Sequence, residues 1–504
     1  MAQRQSRVLI VGGGPAGLVL AIELGRRGVP CTLFERNVGP PTFPKANSTT
    51  SRTMEHYRRL GIAADIRRLG LPDDYPPDIA YYTRFAAYEL ARLHWPSRGE
   101  ELRTRHTADA RWPTPEPVHR AQQMFIEPVL KRHVETLPAV DLRFGWRVDA
   151  VVQDGEHVRV QATEVLSGKS EELEADYAVG CDGARSLVRE TLDIHYEGEN
   201  AEDRQFLGGR MLATHLDAPA FYACAGVKQS WQYWSINRER FGILVAIDGR
   251  GRFVFHTPLP RGCRGSTAYA KESFALATGR EFPYRVIDIA EWTAGFALVA
   301  RRYQTGRIFL LGDAAHLFTP TAGLGYNTSV EDAANLGWKL AAVCRGWGSP
   351  RLLATYETER KPVAERNTRF AHSIAEFFRN LVLPPSLEDA SEEGAAIRAE
   401  LGARLYANCA REFDSPGIHF GAYYGRSPIV ALEGGAAPSE GSDPYVPQAR
   451  PGARAPHVWV GDDVALYDRF GLDFNAAQTR RTRYDAVGGR GGRAQCAARR
   501  GTDR

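Results

Sequence analysis

The stretch Arg7-Val-Leu-Ile-Val-Gly-Gly-Gly-Pro-Ala-Gly17 decides how this chain is read. Residues 7–11 are an apolar run of strand length. Gly12, Gly14 and Gly17 follow with G-x-G-x-x-G spacing, Ala16 sits inside the turn, and residues 18–27 read as a helix. Glycines so placed let the backbone turn tightly and approach a pyrophosphate, whose charge rests at the helix N-terminus. The next strand, 31–35, ends in Glu35, 18 residues after Gly17, where a ribose hydroxyl needs an acceptor. Arg36 beside it fits the adenine-ribose edge. Strand, helix, second strand and terminal acid in register predict a Rossmann-like dinucleotide site. A structural Gly-rich turn is the competing reading.

Residues 8–24 are largely apolar and follow Arg4 and Arg7, as a targeting segment would be placed. Three consecutive glycines, a proline and Glu23 interrupt them, and no small-residue cleavage site follows. The expectation is a soluble, cytoplasmic chain with no membrane association. Its 504 residues suffice for two or three domains with ample core. The seven cysteines form no C-x-x-C pair and no zinc spacing, which predicts scattered core thiols, with neither a disulfide framework nor a metal site. The formal net charge of +4 is uneven: residues 479–504 carry eight Arg and two Asp, a net +6, which leaves −2 for the rest. That tail reads as a solvated, disordered end, and no nucleic-acid partner is expected. Contact with nucleic acid or acidic lipid is the alternative reading of the tail.

Residues 1–200 are expected to form the first part of an α/β nucleotide-binding domain. Within them 142–150, 157–164 and 172–179 look like an antiparallel meander, 80–120 look irregular, and 125–137 read as helix. Residues 201–300 change character. Short β-like runs at 206–215, 231–236, 242–247 and 253–258, dense in aromatics, predict a mostly antiparallel sheet forming a substrate domain. The aromatics suit a planar substrate or a plain core. Residues 301–385 return to the nucleotide-binding domain: strand 307–311, Gly312-Asp313, then a helix over about 328–344. Ser329, with Asp332 three residues on, resembles its capping box. A C-terminal region, 386–474, and the basic tail, 475–504, complete the chain.

Three motifs point one way. The first is 12–17 with Glu35. The second is Tyr177-Ala-Val-Gly-Cys-Asp-Gly-Ala-Arg-Ser186, with Asp182 at its centre and Arg189 beyond. The third is Gly312-Asp-Ala-Ala-His316, then Pro320, Gly323, Gly325, Asn327 and Asp332-Ala-Ala-Asn-Leu-Gly-Trp-Lys-Leu340. Over roughly residues 7–440 the set resembles the class A, single-component FAD-dependent aromatic hydroxylases, the p-hydroxybenzoate hydroxylase group. Arg52-Thr-Met-Glu-His-Tyr-Arg-Arg-Leu-Gly61 resembles the phenol hydroxylase branch.

The resemblance implies FAD as cofactor, with NADPH or NADH and O2 as co-substrates. It implies Asp313 at the ribityl chain and Gly323 and Gly325 against the flavin ring, with Asn327 and the following helix beneath it. It places Asp182 where FAD and nicotinamide share a site. Lys45 stands where the family usually carries Arg near the FAD phosphates, keeping the charge without the bidentate fork. Gln123 matches a family glutamine that contacts FAD. A second nucleotide fingerprint is absent, which argues against a two-domain disulfide-reductase plan. His316 reads as structural rather than as a base.

The implied activity is hydroxylation of a phenolic ring ortho or para to its hydroxyl; if the substrate carries a nitro or halogen group at that carbon, hydroxylation would expel it. The alternatives are tailoring of a polycyclic aromatic natural product and a flavin-bound protein that does not hydroxylate. For substrate positioning the candidates are Asn47, where some phenol hydroxylases carry an acid, and Tyr222 and Tyr233, as hydrogen-bonding phenols. Oligomeric state stays open between monomer and homodimer. Residues 450–457 and 465–471 resemble the opening of a thioredoxin-like third domain; the apolar strands expected after Phe474 are missing, so the end reads as truncated or degenerate.

Overall fold

The computed structural model describes residues 6–106, 112–199, 208–431 and 445–474. The basic tail, 475–504, lies outside them. Two sheets organise the rest. The first has six strands in the order Gln304–Thr305, Ile308–Leu310, Tyr177–Gly180, Val8–Val11, Cys31–Glu35, Val140–Phe144, all parallel except the outermost pair 304–305/308–310. Its central strand Val8–Val11 is buried throughout, as a parallel strand covered on both faces must be. The helices Pro15–Gly25 and Leu324–Cys344 pack against each other in the layer beside it.

The second sheet is the expected substrate platform, but it recruits more chain than 201–300. Its order is Arg285–Ala294, Gly209–Asp217, Arg252–Pro258, Gly242–Ala246, Gln232–Ser235, Ile79–Tyr82, Glu89–Leu93. The last two strands come from the stretch expected to be irregular. Ile79–Tyr82 pairs in parallel with Gln232–Ser235, Gln232 facing Ile79, a partner no local pattern announces. The expected meander exists as Trp146–Gln153, Val158–Glu164 and Ser170–Ala175. The expected first and third strands each merged two elements. Gly145, at φ +77, separates Val140–Phe144 from Trp146–Gln153, and Asp176 separates Ser170–Ala175 from Tyr177–Gly180.

Strand alternation gives the platform two different faces. On one, Phe221, Tyr233, Phe253, Phe255 and Phe274 interlock edge to face under the helix Thr267–Thr278. On the other, Trp234 stacks on Phe378 of the helix Thr355–Arg379 at 4.7 Å and 12°, and Phe43, from the loop after Cys31–Glu35, meets His215 edge-on at 6.3 Å. This second face therefore looks toward the nucleotide-binding half. Among the described residues no helix is long and apolar enough to cross a membrane.

Candidate functional site

The site starts at the turn after Val8–Val11. Gly12 has φ +110, and a Cβ there would lie 2.3 Å from the carbonyl oxygen of Cys181. A Cβ on Gly17 would lie 2.0 Å from the carbonyl oxygen of Gly12. The fold itself requires both glycines. Gly14 differs: its φ is −69 and nothing lies within 4 Å of where its Cβ would be. No atom of the chain demands glycine there, and the space over this backbone is open to a group that approaches from outside. Gly14 also caps the helix Pro15–Gly25 without a side-chain hydrogen bond and with no acid in the first turn, leaving the N–H groups of that end and their dipole for an anion. Glu35 closes the next strand and accepts from Gly13 N at 2.7 Å and Asn37 N at 2.9 Å. Arg36 beside it is exposed.

The second and third motifs lock onto the first. Asp182 accepts from Ser186 Oγ at 2.5 Å and Val188 N at 3.1 Å, and burial raises its carboxyl above the usual range despite those bonds. Arg189 donates to the Tyr196 hydroxyl at 2.9 Å, and that hydroxyl donates to the Asp313 carbonyl. The Asp313 side chain is solvent-exposed. Yet so much protein surrounds it that burial raises its carboxyl, with His316 and Lys45 opposing the shift. Exposed yet crowded, it lies in a cleft open to a polyol that would donate to it. His316 is buried, with Nε2 2.7 Å from Asp332 Oδ2; Asp332 Oδ1 accepts from Arg360 Nε at 2.6 Å. This network braces the helices behind the cleft, in keeping with a structural His316.

The helix expected from 328 starts at Leu324, and its N-cap is Gly323 at φ +62. Ser329 is therefore already in its second turn, and its hydroxyl bonds back to Gly325 O at 2.8 Å instead of capping. Gly325 differs from Gly14: a Cβ there would touch Phe318 at an ordinary 3.6 Å, without striking any atom of the chain. Asn327 is 1% exposed; its amide accepts from Thr50 N at 2.8 Å and donates to Ser48 O at 3.0 Å and Gly323 O at 2.6 Å. All its polar atoms thus tie the loop 48–50 to the helix start.

That loop presents Asn47 and Lys45. Gln123 N donates to Ala46 O at 2.7 Å, Thr49 and His119 exchange backbone hydrogen bonds, and Arg120 donates to Ser48 Oγ. Asn47 is held between these ties, half-buried. Lys45 is exposed and near enough to Asp313 and Glu127 to favour both carboxylates. The Gln123 side chain donates to Glu127. Burial pushes the Glu127 carboxyl up to about 7, more than Gln123 and Lys45 offset. A carboxyl raised on folding lowers stability as pH climbs from the ordinary glutamate range through 7. Glu127→Gln keeps the acceptor and removes the charge. It should stabilise the protein by on the order of 2 kcal/mol at pH 8 and by almost nothing at about pH 4, read from urea unfolding at the two pH values.

The two tyrosines are not brought to this cleft. Tyr233 is fully buried on the far face of the platform, where its hydroxyl donates to Lys228 O at 3.0 Å and accepts from Ser230 N at 2.6 Å. Tyr222 packs on Phe253 of the same far face and its hydroxyl meets that of Tyr75 at 3.0 Å. Period-2 alternation puts Trp234 and Gln232, not Tyr233, on the cleft side. Sequence reasoning also missed Ser48, Arg120, Glu127 and Glu412, which belong to none of the three motifs and meet the site only through the tertiary fold.

Comparison with known proteins shows the family. The model of the FAD binding domain family matches residues 5–371. A putative polyketide hydroxylase of Streptomyces halstedii is 34% identical, covering 92% of this chain and 79% of the relative. Phenol 2-monooxygenase of a Pseudomonas species is 28% identical, covering 92% and 77%. Among solved structures, chromopyrrolic acid-soaked RebC with bound 7-carboxy-K252c superimposes with a TM-score of 0.83 at 35% identity, covering 93% of this chain and 85% of that one.

Proposed function

Since this chain belongs to the FAD binding domain family, as an FAD-dependent aromatic monooxygenase, we propose that it hydroxylates a phenolic ring of a polycyclic aromatic compound, using NAD(P)H and O2. The cofactor fits the residues present: Gly14 faces open space, a Cβ at Gly325 would strike no atom of the chain, and Asp313 is solvent-exposed. In this reading Gly12, Gly14, Ala16 and Gly17 hold the pyrophosphate, Glu35 and Arg36 the adenosine ribose, and Lys45 and Gln123 the neighbouring cofactor edge. Asp313 takes the ribityl chain, Gly323 and Gly325 lie against the flavin ring, and Asp182 and Asn327 shape the walls. The chemistry that bound FAD supplies is hydride acceptance from NAD(P)H and activation of O2. The protein orients the ring on the platform face that carries Trp234 and keeps water out.

One observation carries the choice of substrate. Asn47, on the loop 45–50, is neutral where an acid would serve a simple phenol, so ionisation of the substrate hydroxyl has no carboxylate at that position. The 34–35% identity to the polyketide hydroxylase and to RebC, against 28% to phenol 2-monooxygenase, supports the same choice. The test is the rate of NAD(P)H oxidation with polycyclic phenols against substituted phenols, nitrophenols, chlorophenols and catechols. Faster, product-forming oxidation with the polycyclic set is expected. Preference for a simple phenol, or release of nitrite or halide from one, would instead establish degradation of small phenols.

A further inference from the structure

We infer that Glu412, from the C-terminal region, is a positioning residue that holds the turn 320–325 in the shape it offers to flavin. The inference rests on the assignment of Gly323 and Gly325 to the flavin ring. Glu412 is the penultimate residue of the helix Glu392–Phe413 and is 4% exposed. Its Oε1 accepts from Ala322 N at 2.8 Å, while Oε2 is buried with no hydrogen-bond partner.

Ala322 makes that bond consequential. Among the described residues three non-glycine positions have positive φ: Asp193, Ala322 at +60, and Asp463. Aspartate tolerates the left-handed region because its short side chain can bond locally; alanine has no such compensation, at a cost of about 1–2 kcal/mol. Gly323 follows at φ +62 and caps the helix Leu324–Cys344. Two successive left-handed residues thus set the direction in which the helix starts, with Gly325 in its first turn. An acceptor on Ala322 N is what the local sequence lacks and Glu412 supplies.

The other side of the turn is held through Arg120. Its guanidinium stacks 3.7 Å from the Trp231 ring centroid and donates to Ser48 Oγ. Ser48 Cβ lies 3.5 Å from where a Gly323 Cβ would be. Arg120 and Glu412 attract each other, and burial acts on both, bringing the arginine down to about 9 and the glutamate up to about 7. Tyr81 and Cys409 also face this carboxylate. The turn is therefore clamped between a carboxylate from one helix and a serine that an arginine fixes.

The experiment measures FAD affinity and the visible spectrum of the bound flavin in full-length variants. Glu412→Met keeps the volume and removes the acceptor; it should weaken FAD binding about tenfold and shift the flavin absorbance band, a difference of about 1.4 kcal/mol. Glu412→Gln, which keeps the acceptor, should bind FAD within about twofold of the parent. Ala322→Gly, free to adopt the same φ, should recover most of the loss in the Glu412→Met background. Unchanged affinity and spectrum in Glu412→Met would overturn the inference, as would failure of Glu412→Gln to rescue. Gly325→Ala separates the two levels. If it weakens FAD binding while Glu412→Met does not, the positioning role alone fails; if neither matters, the assignment of the turn to flavin fails with it.

Discussion

Gly14→Ala should leave the apo-protein folded and weaken FAD binding at least about 100-fold, roughly 2.7 kcal/mol. The expectation follows from the difference between neighbouring glycines. Alanine at Gly12 would strike the Cys181 carbonyl from a backbone at φ +110, and at Gly17 would strike the Gly12 carbonyl. Either substitution breaks the packing of strand against helix and says nothing about a ligand. At Gly14 an alanine meets no atom of the chain within 4 Å and φ is −69. Its methyl group intrudes only on what lies over the helix N-terminus. Titration of apo-protein with FAD, followed by flavin fluorescence, gives the affinity; thermal unfolding of the apo-protein gives the control. An unchanged FAD affinity would move the pyrophosphate away from this turn.

The second large effect is on stability. Arg360→Met should destabilise the protein by about 3–5 kcal/mol at pH 7, because it strands the Asp332 carboxylate in a site with no solvent access. Burial alone would raise that carboxyl; Arg360 first, with His316, more than offsets it and holds it below the ordinary range. The sign with pH follows. In the parent, the contribution of Asp332 is present above the ordinary aspartate range and is lost as pH falls through the depressed value. In Arg360→Met the carboxyl has lost its main cation, so protonation relieves the penalty, and the gap between parent and variant should narrow as pH drops from 7 to 5. Adding Asp332→Asn should recover part of the loss, which a double-mutant cycle in urea would read as coupling. A loss under 1 kcal/mol, or strict additivity, would show that this network does not brace the two helices.

Much of the nucleotide half was legible because its information is local. The run 7–17 with Glu35 contains strand, turn, helix and acceptor within a short span, and the structure places Val8–Val11, Pro15–Gly25 and Cys31–Glu35 accordingly. Four strands of the platform were legible as short β-like runs dense in aromatics. Ile79–Tyr82, Glu89–Leu93 and Arg285–Ala294 were not: the first pairs with a strand some 150 residues further on, the second pairs only with the first, and Arg, Trp and Pro crowd that stretch. The start of the helix Leu324–Cys344 was misplaced because the sequence offered a serine as a cap, whereas the fold uses the left-handed pair Ala322–Gly323 and no capping side chain. Tyr233 was misplaced as a substrate contact because the side of the platform that looks at the cleft is decided by Phe43 and Phe378, from remote parts of the chain. Glu412 carries no motif at all, and its reach to Ala322 exists only once the helix Glu392–Phe413 has docked.

The C-terminal segment is tied to the nucleotide half by a buried ion pair and a partly exposed one. Arg454 pairs with Glu55 at a site where both side chains are at most 3% exposed, and Arg58 donates to Asp468 at 2.6 Å. This part of the chain therefore packs on the helix Ser51–Arg59.

The most direct test of the central account is a single-turnover balance under 18O2. FAD-loaded protein, one equivalent of NAD(P)H and a polycyclic phenol are mixed, and the product is read by mass spectrometry. The account predicts one 18O in the aromatic product per NAD(P)H consumed. NAD(P)H consumption with all oxygen recovered as hydrogen peroxide, and no labelled product from any phenol, would contradict it.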